Sequence, residues 1–366
     1  MGVCCSTGPF ARPLIGQREA KVIRAFYYLD ASEYPLDQDG RWEPPSLPAL
    51  TPLLSWVTFS PHFWFLPTLL DHKCGIMLNT TIPTDTITSP LVAHLEAFWS
   101  SLFENRNEAL VTLAMLFISH EIIYFGRCVP YLIADKIPSL QKYKIQQKTI
   151  QNTSQNQWKV FRYVLMSHFF FELPMIVGFH PVAVYFGMAI SAVPFPALSK
   201  MIPQIFLFFV FEDFFHYWAH RALHYGPFYK HIHKVHHEWS APFGLAAEYA
   251  HPIEVLILGT GTIGGPLIWC YFTHDLHLAT TMIWMTCRLF QAVEAHSGYD
   301  FPWSTHNWLP FWSGSEHHDY HHMAFTNNFS TSFRWWDHIF GTNKKYIAYK
   351  ERRAREMKEQ KAKKVN

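Results

Sequence analysis

Sixteen of the chain's 23 histidines lie between His216 and His322, and they recur at fixed spacing. His216, His220 and His224 stand four residues apart. An HxxHH triplet occupies His233, His236 and His237, and the same triplet returns at His318, His321 and His322. An α-helix turns by about 100° per residue, so positions i, i+3 and i+4 share one face. Each triplet is therefore expected to aim its imidazoles at one point. A single buried histidine is better read as a satisfied core residue, but repeated spacing in separate segments is not. Neutral imidazole binds iron, zinc, copper and nickel, and spacing alone does not choose among them. Three arrays exceed the needs of one ion, so a dinuclear centre between converging helices is expected.

Composition places that centre in a membrane protein. Hydrophobic residues make up 49% of the 366 and aromatics 17%, while charged residues fall to 16% against about 25% in soluble domains. The net charge of +2 and the absence of a basic, aromatic-interleaved surface argue against nucleic acid as a partner. The six cysteines, at 4, 5, 74, 128, 270 and 287, form no CxxC pair. They suit neither a disulfide framework nor a thiolate zinc site, and a reducing, cytosolic setting is expected for the histidine region. The expected fold class is an all-α integral membrane protein: a transmembrane helix bundle with a cytosolic histidine-rich cap.

Along the chain, residues 1–90 read as a Pro-rich leader with no secretory signal. It opens Met1-Gly2-Val3-Cys4-Cys5-Ser6, a short pattern compatible with myristoylation and palmitoylation, and Leu53–Leu70 is a doubtful span because of Pro61 and Pro67. Residues 91–343 read as a membrane-embedded catalytic domain. Ala109–Leu132 is long enough to cross about 30 Å of hydrocarbon, and the lysine-rich segment after it belongs in the cytosol by the positive-inside rule. Tyr163–Phe186 is expected to be broken at Glu172, Pro174 and Pro181, and the stretch on through Pro194 and Pro196 to make a helical hairpin rather than a straight span. Ile202–Trp218 should run into the first histidine stripe, and Ile253–Phe272 with Leu278–Phe290 should form a pair that leaves and re-enters the cytosolic face. Gly259, Gly261, Gly264 and Gly265 would let that pair pack closely. Residues 344–366 read as a charged cytosolic tail, and the terminal Lys363-Lys364-Val365-Asn366 resembles a retrieval signal of the endoplasmic reticulum.

The stretches HRALH (220–224), HKVHHEWSAPFGLAAEYAHPIEVLILG (233–259), HSGYDFPW (296–303), HHDYHHMAF (317–325) and RWWDHIFGT (334–342) together resemble the fatty acid hydroxylase superfamily, and within it the C-4 methylsterol monooxygenases. The resemblance runs from about Glu108 to Gly341. It implies a non-haem enzyme with two Fe ions in the endoplasmic reticulum membrane, oxidising a sterol 4α-methyl group through alcohol and aldehyde to carboxylate. It implies O2 and NAD(P)H as co-substrates, and cytochrome b5 with its reductase as electron donors. A sterol C-4 dehydrogenase-decarboxylase and a ketoreductase would follow in the same demethylation complex. The ligands it implies are His220, His224, His233, His236, His237, His296, His318, His321 and His322.

Carboxylates near the boxes could fix imidazole tautomers from behind. The candidates are Asp213, Glu238, Glu248, Glu294 and Asp319, together with His216 and His317, which extend the boxes. His251 and His306 are expected in core or surface roles. A sterol C-5 desaturase, a sphingoid-base hydroxylase or a triterpenoid methyl oxidase would use the same centre, and a metal-binding membrane scaffold without turnover is the alternative of another class. Product analysis with each lipid separates them.

Overall fold

A computed structural model describes residues 89–365. The leader, its lipidation pattern and Leu53–Leu70 lie outside the described residues, as does Asn366. Among the described residues the chain is helical, with three isolated β-bridges and no strand. Helix α1 (Pro90–Phe103) precedes α2 (Glu108–Ala134), which starts where Asn107 accepts a hydrogen bond from Leu110 N. Helix α3 (Ser154–Tyr185) starts the same way at Thr153. Then come α4 (Leu198–Leu223), α5 (Pro252–Thr273) and α6 (Leu278–Ala295). Short α7 (Gly314–Ala324) and α8 (Trp335–Ile339) lead to the charged α9 (Lys344–Val365).

Helices α2, α3 and α5 are long and apolar enough to cross a membrane. Many of their apolar side chains find no cover among the described residues: Ile118 and Ile122 on α2, Phe170 and Val177 on α3, and Ile268 and Phe272 on α5 are all exposed. Such continuous apolar surface is soluble only in lipid. The chain is a membrane protein.

One expectation about these segments is corrected. The break at Glu172, Pro174 and Pro181 does not occur. Instead α3 runs on through a π-turn at His168–Glu172, which loosens the backbone just ahead of Pro174, where an N–H is missing anyway. The chain reverses later, in the irregular stretch before α4. Helices α5 and α6 do leave and return, α5 starting with Glu254 of its first turn beside His233 and α6 ending at His296, but α6 carries Arg288, Gln291 and Glu294, all buried, and is an internal helix. Helix α4 is likewise internal at its C-terminal end, with Glu212, Asp213, His216 and His220 buried.

Packing brings α4 and α6 to the centre. Helix α4 lies against α5 and α6, α6 also against α2 and α7, and α3 against α2 and α5. The α4–α5 approach depends on Gly261, where an added methyl would overlap the Phe215 ring. Two apolar clusters hold the bundle, one around Trp284, Phe208 and Phe209, the other around Tyr124, Val160 and Val293. The second reaches the histidine segments directly, because Tyr124 Oη donates to Leu245 O at 2.9 Å.

Candidate metal centre

Four segments deliver the histidines. The last turns of α4 supply His220 and His224, and the coil after α6 supplies His296. Helix α7 supplies His318, His321 and His322. The second box is not one regular helix: His233 closes a π-turn over Tyr229–His233, and His236 and His237 lie in a 3-10 turn.

The nine side chains form two compact groups, five and four strong. His220, His224, His233, His237 and His321 make one; His236, His296, His318 and His322 make the other. Within each, one ring nitrogen per residue lies within 4.8 Å of all the rest. The expectation that each triplet aims at one point is therefore corrected. In the second box the pair His233/His237 joins the first group and His236 the second; in the third box His318/His322 joins the second group and His321 the first. The third box splits this way on a regular α-helix, where i+4 lies about 40° to one side of i and i+3 about 60° to the other; the second box splits alike although it winds through a π-turn and a 3-10 turn.

The hydrogen bonds fix the tautomers. His220 Nδ1 donates to Phe329 O at 2.8 Å, His236 Nδ1 to Tyr249 O at 3.2 Å, and His296 Nδ1 to Ala292 O at 2.8 Å. His321 Nδ1 donates to Asn327 O at 2.6 Å and His322 Nδ1 to Trp239 O at 3.1 Å. His233 Nδ1 is 2.8 Å from Glu254 Oε1. Where Nδ1 carries the proton, Nε2 is a bare lone pair, yet such atoms face each other: His220 and His233 at 3.1 Å, His296 and His236 at 3.2 Å. Lone pairs at that distance repel unless a cation lies between them. Two nitrogens bound at about 2.1 Å to one ion stand about 3.0–3.4 Å apart, so the spacing suits metal ligands. His322 Nε2, buried and without a partner, fits the same account.

Charge agrees. Burial pushes His321 down to about 3 and His236 down to about 4. Burial, reinforced by neighbouring imidazoles, also holds His220, His224, His233, His237, His296, His318 and His322 well below their ordinary value. The cluster is neutral at physiological pH, the state in which imidazole accepts a metal.

The carboxylates expected behind these rings are elsewhere. Asp213 accepts from Ser332 N and Phe333 N; Glu238 pairs with Lys159 and Tyr249; Glu248 pairs with His168. Glu294 accepts from Thr305, and Asp319 from Gln146. They bind no histidine of the two groups, because a carboxylate adjacent in sequence points off the shared helix face. Backbone carbonyls do the orienting, with Glu254 the one carboxylate. Nothing in the sequence marks Glu254, because its partner lies 21 residues away. His317 contributes indirectly: its Nε2 lies 3.4 Å from Asp337 Oδ2, and Asp337 accepts from Phe329 N and Ser330 N, holding the loop that presents carbonyls to His220 and His321. His216 lines the cavity beside the groups, His251 caps α5, and His306 lies 3.2 Å from Asp300.

A cavity of about 220 Å³ opens onto both groups, reaching His220, His236 and His318 at one wall and Leu116, Met175 and Leu258 along the others. A further polar cluster borders it. His168 is held between Glu121, 2.8 Å from Nδ1, and Glu248, 2.9 Å from Nε2. His120 stands beside them, with Nε2 3.4 Å from Glu172 and 3.5 Å from Glu248.

Residues 205–342 match the family model described as fatty acid hydroxylase. The chain is 55% identical over 265 residues to the C-4 methylsterol oxidase erg25 of Schizosaccharomyces pombe, covering 72% of this chain and 88% of that protein. It is 53% identical over 265 residues to methylsterol monooxygenase erg25B of Aspergillus fumigatus, covering 71% and 89%. To methylsterol monooxygenase 1 of Gallus gallus it is 40% identical over 264 residues, covering 72% and 87%. No solved structure matches. Its histidine boxes, its helices and these relatives together place the chain: it belongs to the fatty acid hydroxylase superfamily, in the C-4 methylsterol monooxygenase family.

Proposed function

We propose that this chain is a C-4 methylsterol monooxygenase, oxidising a sterol 4α-methyl group through alcohol and aldehyde to carboxylate with O2 and NAD(P)H-derived electrons. One observation carries it: nine neutral imidazoles, six of them tautomer-fixed, converge in groups of five and four beside an apolar cavity. We assign His220, His224, His233, His237 and His321 to one metal ion and His236, His296, His318 and His322 to the other. Two iron ions there would supply the dioxygen activation that an unactivated methyl C–H demands, since no side-chain nucleophile attacks such a bond.

The chain's own residues supply the rest. Phe329, Tyr249, Ala292, Asn327 and Trp239 hold the rings by their carbonyls, and Glu254 holds His233, so little reorganisation is needed when a ligand binds. Leu116, Met175, Met282, Met285 and Leu258 keep the cavity dry and match the sterol's apolar rings. The protein positions a methyl group and excludes water.

Orientation follows from packing. Gln146 Nε2 donates to Asp319 at 2.8 Å and Lys159 pairs with Glu238, so the lysine-rich segment between α2 and α3 shares a face with the boxes. The positive-inside rule then favours a cytosolic site, within reach of cytochrome b5 and its reductase. The family resemblance favours the endoplasmic reticulum membrane, where the dehydrogenase-decarboxylase and ketoreductase would take the product.

The experiment is a microsomal assay of the expressed chain with a 4,4-dimethylsterol, NADPH and air, read by mass spectrometry. A 4α-hydroxymethyl or 4α-carboxyl sterol is expected. A preparation holding two irons per chain that leaves the sterol untouched would sink the proposal.

A further inference from the structure

Beside the histidine groups, α4 and α6 enclose a polar corner whose groups the metal assignment does not use. His216, one turn before His220, is buried and lines the cavity; the two rings lie 5.5 Å apart, centroid to centroid. Its Nδ1 lies 3.3 Å from Glu212 Oε1, off the line of a hydrogen bond but close enough for the carboxylate's charge to favour a proton on that nitrogen. Its Nε2 has no hydrogen-bond partner among the described residues. Arg288 closes the corner from α6, where Nε donates to Glu212 Oε1 at 2.9 Å and Nη1 to Gln291 Oε1 at 2.6 Å. Gln291 is itself tied down, donating to Thr331 O at 2.6 Å. The remaining Arg288 nitrogen, Nη2, has no partner among the described residues, and the residue lines the cavity.

A buried ion pair such as Arg288–Glu212 pays for desolvation without stabilising a fold more than apolar packing would. Here it leaves an acceptor, His216 Nε2, and a donor, Arg288 Nη2, at the edge of a cavity with apolar walls. A ligand suited to that corner carries one group that both donates and accepts, on an otherwise apolar body.

Resting on the sterol oxidation proposed above, the chemistry names that group. A sterol bears a single hydroxyl, on ring carbon 3, next to the carbon that carries the methyl groups. Hydroxyl and methyl lie within a hydrogen-bond length of each other, so a methyl turned toward the metals brings the hydroxyl against whatever borders them. We propose that His216 and Arg288 form the subsite for the sterol 3-hydroxyl, which donates to His216 Nε2 and accepts from Arg288 Nη2. The polar cluster of His120, His168, Glu172 and Glu248 does not meet this condition: its groups are engaged with one another, and none of its residues belongs to either histidine group. His216 and Arg288 thus act as positioning residues that set which ring carbon faces the metals.

The test reads binding apart from turnover. The full-length, iron-loaded protein in lipid nanodiscs, without reductant, is titrated with a 4,4-dimethylsterol and with its 3-deoxy analogue. Wild type should bind the hydroxylated sterol at least about tenfold more tightly. His216→Phe should bring the ratio near one with metal content unchanged, and His216→Gln, whose amide oxygen can accept, should restore part of it. The paired variant Glu212→Gln with Arg288→Met, which strands no charge, should also lower the ratio. Equal binding of both sterols by wild type, or an unchanged ratio in His216→Phe, overturns the subsite. Loss of iron from His216→Phe would place that residue in the metal shell and overturn it too. Turnover with NADPH is scored separately: discrimination without oxidation sinks the monooxygenase reading alone, and oxidation without discrimination sinks the subsite alone.

Discussion

The two histidine groups and the cluster of His120 and His168 border the same cavity, and both are buried, yet they are opposite solutions to burying imidazole. In the groups, each oriented ring gives its Nδ1 proton to a carbonyl or to Glu254, and bare Nε2 atoms confront each other with no carboxylate between them. In the cluster, both nitrogens of His168 face carboxylates, Glu121 and Glu248. The first arrangement is incomplete without a cation. The second completes itself with protons. What decides is the group across the ring, since histidine supplies the same ring to both.

The largest effect that could break this contrast is at the nitrogen pairs. His236→Ala and His321→Ala should each reduce sterol oxidation to background and lower bound metal while membrane insertion persists; full activity in either variant would remove that residue from the ligand set. Next comes the support behind a ring. Glu254→Ala should weaken metal binding by about 10–100-fold, measured by competition with a chelator, and an unchanged affinity would reduce Glu254 to a packing residue.

Within the proton-completed cluster the expectation reverses. Glu172→Gln and His168→Gln should leave two metals per chain, as in wild type, and lower thermal stability instead, because removing one partner of a buried pair costs about 3–5 kcal/mol. A third metal in wild type that these variants lose would erase the contrast.

The smallest effect is a pH slope in the metal-free protein. His321 and His236 titrate in the unfolded chain near the ordinary 6.5, but at about 3 and about 4 when buried. Below 6.5 the unfolded chain takes up protons that the folded chain refuses. Stability is thus full above that pH and falls as pH drops toward 4, by at most about 1.4 kcal/mol per pH unit for each such histidine. Denaturation of chelated protein between pH 7 and pH 4 measures the slope; metal, which bars these rings from protons in the folded state, should raise stability at pH 7 without flattening the slope.

Much of this is readable from the residues. Box spacing gives away which histidines converge, since imidazoles repeated at i, i+3 and i+4 steps serve core packing poorly and metal binding well, and the apolar stretches of α2 and α5 give away the membrane. The partition into five and four is hidden, because spacing shows that i, i+3 and i+4 share a face but not that a second group stands beside the first to take the i+3 ring. The orienting groups are hidden for a different reason: any residue can present a backbone carbonyl, so Phe329 or Asn327 leaves no mark. Pro174 misleads because a proline that would break a soluble helix is accommodated by a π-turn in α3.

The opposite splitting of the two HxxHH boxes has a consequence for assembly. The turn bearing His233, His236 and His237 and the helix bearing His318, His321 and His322 each reach into both groups, so an ion captured by one group would align three of the other's donors. Such linkage is reciprocal: with two ions bound as proposed, the first would recruit the second, and loss of either would loosen its twin. Loading should then be cooperative, with half-filled protein scarce between the empty chain and the complete one.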